Sequence, residues 1–348
     1  MKDLPGINSR KRIEETGNNM KKFFINVQGG TGMNIALASF ISFIKENGDA
    51  KGNKDYSFTV LSPYFDIFES CKDVERVYKP NEIRDFIFDA EFEKAELVMG
   101  RLYDLDGFIK KQMSYPDAWA KMLNIPWKKD KETGTITTSS LEPEKKYPYL
   151  INQADDILKK VKENGFKDFV IMQFTGGQSP LTQVPANEKG EPDWSKVPYN
   201  YDNEPLKRHY PIDLVNQFIS LFRAAHPETA VILYQLPNEP APDGVFRFTI
   251  PYLAYHVLAR KDECVGVVTI DSSLQHLVAG LTKTLVIWGH SLPLSFGYDY
   301  NKNVLQDCRR DDILYFSALG PSGAAIRYIK PADLLKEVDA YLFGKEEK

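Results

Sequence analysis

Thr269-Ile270-Asp271-Ser272-Ser273-Leu274-Gln275-His276-Leu277-Val278-Ala279-Gly280-Leu281, followed by Lys283-Thr284-Leu285-Val286-Ile287-Trp288-Gly289, sets two apolar runs either side of a polar turn and a helical pattern. Cys264 to Thr269 is a short apolar, β-branched run, the pattern of a buried strand. Asp271, Ser272 and Ser273 are N-cap residue types at its end, and Leu274, Leu277, Val278 and Leu281 then recur at helical spacing. Thr284 to Trp288 is a second buried strand. Strand, polar turn, helix and strand make a βαβ unit, whose turn lies at the carboxyl end of parallel strands, where open α/β sheets take their ligands. Free N–H groups there suit an anion, and His276 sits within reach as a donor. The same residues also suit an ordinary capped turn with Asp271 as its cap.

The rest of the chain repeats this theme. Lys22 to Val27 is an apolar strand that ends in Gln28-Gly29-Gly30-Thr31-Gly32, and a helical pattern runs from Met33 to Ile44. Phe169 to Phe174 is a strand delivering Thr175-Gly176-Gly177-Gln178-Ser179, a second small-residue turn suited to a diphosphate. Lys207-Arg208-His209-Tyr210-Pro211 precedes a helix to about Ala225. Cations ahead of a helix N-terminus oppose its dipole, a cost that a bound anion offsets. Strand Thr229 to Gln235 leads into Leu236-Pro237-Asn238-Glu239. Further strands are expected at Tyr56 to Leu61, Val74 to Tyr78 and Ala95 to Met99, with helices near 64–71, 115–125, 151–164, 251–260 and 331–343.

With 348 residues, 43% of them hydrophobic and 26% charged, the composition suits two globular domains. No apolar run approaches the roughly 18 residues of a membrane span. The first residues lack a secretory apolar core, so a cytoplasmic location is expected. The three cysteines, Cys71, Cys264 and Cys308, are far apart and read as reduced thiols. The net charge of −4 gives no whole-surface reason for a nucleic-acid partner, although a local basic cleft stays open. Residues 1–20 are polar and read as a disordered leader, with the fold starting near Lys21. A charged stretch at 128–147 divides residues 21–150 from 151–330, and the loop at 180–205 has the length of a lid or acceptor contact or of a disordered segment.

The segment from Asp271 to Gly289 resembles the nucleotide-sugar signature of the heptosyltransferase-like glycosyltransferases, family nine, which runs Asp-Ser/Thr-Gly-x-x-His-Leu-Ala-Ala-Ala-Leu-Gly-Lys-Pro before an apolar strand. Ser273, Thr282 and Thr284 depart from it. The resemblance implies a GT-B fold, α/β, with two doubly wound Rossmann-like domains facing across a cleft. It also implies that the terminal helix, 331–343, returns to the first domain.

The implied activity is inverting sugar transfer from a nucleotide-diphosphate donor to a glycan or other hydroxyl, with no resident cofactor or metal. Thr175, Gly176, Gly177, Arg208, Glu239, Asp271, Ser272, Ser273 and His276 are then the donor-binding set. Arg208-His209-Tyr210-Pro211 stands for the family's Lys-x-Trp-Pro, and Glu239 for an acidic residue at the nucleoside. Gly30, Thr31, Gly32 and Asn34 form the acceptor-side turn. The family's base is an Asp in this turn, where Met33 and Asn34 stand, so it does not carry over. Asp104 and Asp106, just after a strand, are the substitute candidates for a catalytic base, or alternatively plain surface carboxylates. Two other readings remain open: sugar transfer to a modified base in DNA, and a non-catalytic protein that binds a nucleotide sugar or a partner.

Overall fold

A computed structural model describes residues 20–108, 113–127, 136–176, 185–189, 193, 196, 208–289, 291, 293–308 and 326–345. The first half runs β1 (Lys21–Val27), α1 (Thr31–Asn47), β2 (Tyr56–Leu61), α2 (Phe65–Glu69), β3 (Arg76–Tyr78), α3 (Ile83–Phe92), β4 (Glu96–Gly100), α4 (Tyr115–Met122) and α5 (Pro143–Lys146). The second runs α6 (Tyr149–Glu163), β5 (Asp168–Met172), α7 (Ile212–Ala225), β6 (Thr229–Leu233), β7 (Phe246–Arg247), α8 (Tyr252–Ala259), β8 (Cys264–Ile270), α9 (Ser273–Leu277), β9 (Thr284–Trp288), α10 (Pro293–Phe296), β10 (Lys302–Leu305), β11 (Asp307–Cys308), β12 (Ile326–Arg327) and α11 (Pro331–Phe343).

The halves carry separate parallel sheets, ordered β3-β2-β1-β4 and β10-β9-β8-β5-β6-β7. Fully buried runs such as Tyr56–Leu61 and Thr284–Trp288 explain why parallel strands form here, since a strand covered on both faces needs no polar alternation. The strand order reverses between β1 and β4 in one sheet and between β5 and β8 in the other. Those reversals are the switch points where the loops part and leave a crevice. The turns singled out above, around Gly30, Gly176 and Ser272, lie at these reversals.

The terminal helix corrects an expectation. Among the described elements, α11 packs chiefly on α7 and β8 of the second half. Leu334, Val338 and Leu342 are buried in the core that holds Phe218, Phe222, Val268 and Leu285. Gly266 makes room for this seat, because a Cβ there would lie 2.6 Å from Leu342 Cδ2. The apolar stripe of α11 matches that side of the second sheet, so burying it there satisfies the helix without a crossover.

Candidate functional site

The carboxyl ends of β5, β6 and β8 are knitted together by side chains. Gln173 Nε2 donates to Ser272 Oγ at 2.8 Å and to the Thr175 carbonyl at 2.9 Å. Thr269 Oγ1 donates to Gln173 Oε1 at 3.2 Å, which fixes the amide's orientation. Thr175 Oγ1 donates to Glu239 Oε2 at 2.6 Å, and the Leu236 N–H donates to the same oxygen at 3.0 Å. Tyr234 and Ser273 share a hydroxyl contact of 3.1 Å. A Cβ on Gly176 would lie 3.8 Å from Ser272 Oγ, so the β5 and β8 turns touch. Ser272 is the N-cap of α9, yet its hydroxyl makes no capping bond because Gln173 engages it. The sequence places Thr175, Gly176, Glu239, Ser272 and Ser273 at this site, and the structure brings all five together. Gly177 and most of the 180–205 loop lie outside the described residues.

Arg208 and Asp271 join the same cluster. Arg208 Nη1 donates to the Asp271 carbonyl at 3.3 Å. Asp271 is buried, and Gln275 Nε2 donates to its Oδ1 at 2.8 Å. Tyr210 fixes the approach of Arg208: its N–H donates to the Phe174 carbonyl at 2.9 Å, and its hydroxyl to the Ile329 carbonyl at 2.6 Å. Burial raises the Glu239 carboxyl above its ordinary range, while the Thr175 and Leu236 hydrogen bonds and the charge of Arg247 pull it back. Arg247 donates to the carbonyls of Pro237 and Glu239, at 3.0 and 3.2 Å, and holds the loop.

His276 turns elsewhere. It is 3% exposed and lies at the contact between the halves. A Cβ on Gly32 would sit 2.6 Å from its Cδ2, so that glycine exists to let α1 meet α9. Tyr115 packs edge-on against the ring at 5.4 Å, and Nδ1 is 3.0 Å from the Tyr298 hydroxyl. Burial, with Arg208 adding positive charge, lowers its pKa to about 3, so the ring is neutral. The expectation of a phosphate-positioning histidine gives way to an interface histidine. Its helical position, one turn after the cap, is correct, but α1 closes over it.

The first half's turn is built differently. Gly29 (φ 144°) and Gly30 are exposed at the mouth. α1 then starts at Thr31 with no side-chain cap on its amides, leaving N–H groups for water or ligand. Asn34 is fully buried: its Nδ2 donates to the Gly30 carbonyl at 2.9 Å, and its Oδ1 accepts from Ser62 Oγ at 2.6 Å. Asn34 therefore braces β1 against β2 and is not aimed at a ligand. Met33, 2% exposed, folds under Gly29, where its Sδ would lie 2.6 Å from an added Cβ. Asp104 and Asp106 are exposed, Asp104 in an ion pair with Arg101 at 3.6 Å. Tyr103, just before Asp104, lies near the donor side. Burial and the charge of Asp271 raise its hydroxyl, and Arg208 opposes them.

Several participants were not read from the sequence. Gln173 and Tyr234 stand at the ends of β5 and β6, the positions strand-end logic favours, but neither belongs to a motif. Asp66, at the end of the β2 turn, accepts from the Tyr252 hydroxyl on α8, and Glu69 from that of Tyr147. The Glu69–Tyr147 contact lies within the first half, and the Asp66–Tyr252 contact stitches the two halves together. So does Thr138, whose N–H donates to the Ala279 carbonyl at 2.9 Å. Among the described residues, no group of three or more acidic, histidine or cysteine side chains is arranged to hold a metal ion. No described helix is long and apolar enough to cross a membrane.

No protein-family profile matches the chain, and no curated protein does. Solved structures do match. A family 9 glycosyl transferase from Veillonella parvula DSM 2008 superposes with a TM-score of 0.59 at 11% identity, covering 94% of this chain and 98% of that one. The heptosyltransferase WaaC of E. coli, solved with ADP, gives 0.51 at 13% identity, covering 92% and 99%. The ADP-heptose lipopolysaccharide heptosyltransferase II of E. coli gives 0.51 at 13%, covering 94% and 100%. The chain thus has the two-sheet α/β fold of these GT-B glycosyltransferases.

Proposed function

We infer that the protein is a glycosyltransferase that takes a nucleotide-diphosphate sugar in the second half and transfers the sugar, with inversion, to a hydroxyl held by the first. The observation that carries this reading is the hydrogen-bonded cluster at the β5/β8 switch point, where Arg208 stands over two small-residue turns. A diphosphate fits there by charge and by amide supply, and Glu239 lies at the edge where a nucleoside would extend. The E. coli WaaC structure, a similar fold solved with ADP, supports a nucleotide ligand.

In the transfer, the acceptor oxygen forms a bond to the anomeric carbon as the bond to the diphosphate oxygen breaks on the opposite face. The bonding pair leaves with the diphosphate. Arg208 and the amides of Gly176 and Ser273 stabilise that growing negative charge, the role a metal ion plays elsewhere. The acceptor's proton goes to a carboxylate of the first half, with Asp104 and Asp106 the candidates beside the β1/β4 switch point.

A second reading has an observation in its favour. Met33 and Asn34 are both committed to packing, so a protein that binds a nucleotide sugar without turnover fits the first half equally well.

A thermal-shift screen against nucleoside diphosphates and nucleotide sugars tests the donor site. A ligand at a hundred times its dissociation constant stabilises by about 2.7 kcal/mol. Stabilisation by one nucleotide family, lost in Arg208→Ala, is the expected result. No response to any nucleotide sinks both readings. Transfer to a hydroxyl acceptor then separates enzyme from binder.

A further inference from the structure

Six exposed large hydrophobics, Ile83, Ile87, Phe88, Phe92, Leu97 and Met99, gather on one part of the first half. Phe24 and Leu61 on one sheet face are covered by Phe86 and Ala90 of α3. Leu97 and Met99 share that face, since they register with Phe24 and Asn26 of β1, yet they are 47% and 55% exposed. β4 is also the sheet's edge, pairing only with β1 among the described residues.

α3 sits to one side of them. Its Asp89 reaches over to β3, accepting from Arg76 at 3.0 Å. Ile87 lies ~160° around the helix from Asp89, on the flank towards β4. Ile87, Leu97 and Met99 thus border a trough with no helix over it among the described residues. Phe88 and Phe92, two residues or ~200° from Phe86 and Ala90, crown α3. They are 67% and 78% exposed, with rings stacked at 6.5 Å.

We propose that this face is the interface of a homodimer, in which the Phe88–Phe92 crest of each copy fills the α3/β4 trough of the other. A crest and a trough on one surface are the self-complementary pair a two-fold axis requires. Area supports the second copy as occupant. At about 200 Å² per large side chain, the exposed parts of Ile83, Ile87, Phe88, Phe92, Leu97 and Met99 supply roughly 600 Å² of apolar surface. A standard interface needs about 800 Å² per partner, a little over half of it apolar. A typical monomer's largest apolar patch is no bigger than this. Charge supports it too. Arg84, Asp85, Glu91 and Lys94, all exposed around the crest, carry both signs, so two copies can meet without like charges facing. An anionic lipid surface would call for a basic rim instead. The interface also replaces the covering layer that a doubly wound sheet needs on both faces.

Sedimentation velocity on the full chain over a range up to tens of micromolar tests this. The expected result is a concentration-dependent dimer. Phe88→Glu with Phe92→Glu abolishes it and leaves a folded monomer with unchanged far-UV circular dichroism, because neither ring packs in the core of its own chain. Ile151→Glu, a control at an exposed apolar residue of α6, leaves it intact. A monomer throughout, or a dimer indifferent to the Phe88/Phe92 pair, overturns the proposal. So does a monomer that floats with phosphatidylglycerol vesicles and loses them in the double variant, which would assign the surface to lipid.

Discussion

At the switch point of the second sheet, Gln173, Thr175, Glu239 and Ser272 hold one another through hydrogen bonds beside Arg208, and Tyr234 holds Ser273. At that of the first, Met33 is folded away and Asn34 is consumed by backbone carbonyls and Ser62. One crevice is lined with groups arranged for an anion. The other presents exposed glycines and carboxylates on its rim. Topology alone gave both sheets the same kind of crevice, but only in one do the side chains at the strand ends form a hydrogen-bonded cluster suited to an anion. A shared fold therefore licenses a donor-side reading here, whereas the acceptor side has to be established residue by residue.

The strongest way to break that contrast is Met33→Asp, which puts a carboxylate at the position of the family's base. Because Met33 is buried under Gly29, the substitution is expected to cost about 3–5 kcal/mol, the penalty of an unpaired buried charge, and to lower the melting temperature without gain of turnover. Native stability with increased turnover would show that the turn is an open catalytic position after all.

Acid probes the contact between the halves. Burial depresses His256 to about 4 and His276 to about 3. The unfolded chain therefore binds protons first, near the ordinary histidine value of about 6.5. Stability is held above that pH and lost as pH falls towards 4, by about 2 kcal/mol per histidine at pH 5. The raised carboxyls of Asp66 and Glu239 act in the opposite sense, so a chemical-denaturation series should compare wild type with His276→Gln. A flatter pH profile in the variant is expected. An unchanged one would mean the ring is not enclosed.

Arg208→Ala is expected to weaken nucleoside diphosphate binding about 10- to 100-fold, the worth of one charge-assisted contact, with little effect on the fold. Equal affinity by calorimetry would remove the cation from the site. The smallest structural effects belong to Asp104→Asn and Asp106→Asn, each within about 0.5 kcal/mol of wild-type stability. Whichever abolishes transfer at unchanged donor affinity is the base, and if neither does, both are surface carboxylates.

Much of the fold was readable because buried parallel strands are continuous apolar runs: Tyr56–Leu61 and Thr284–Trp288 fall where the pattern puts them. α3 was not read. Its outer face carries Phe88 and Phe92, so no one-sided stripe marks it as a helix. The strand-end residues of the donor site were legible from small and polar residues following apolar runs. The enclosure of His276 was not, because it depends on Gly32 and Tyr115, far away in sequence and brought in only by the packing of α1 and α4. The seat of α11 was misjudged for a related reason. An amphipathic stripe says that a helix packs, not which sheet receives it.

The most direct test of the central claim is a crystal structure with whichever nucleoside diphosphate stabilises the chain. The diphosphate is expected against the Thr175–Gly176 and Ser272–Ser273 turns, with the Arg208 guanidinium on its oxygens. A diphosphate seated instead on the Gly29–Gly30 turn of the first half would contradict it.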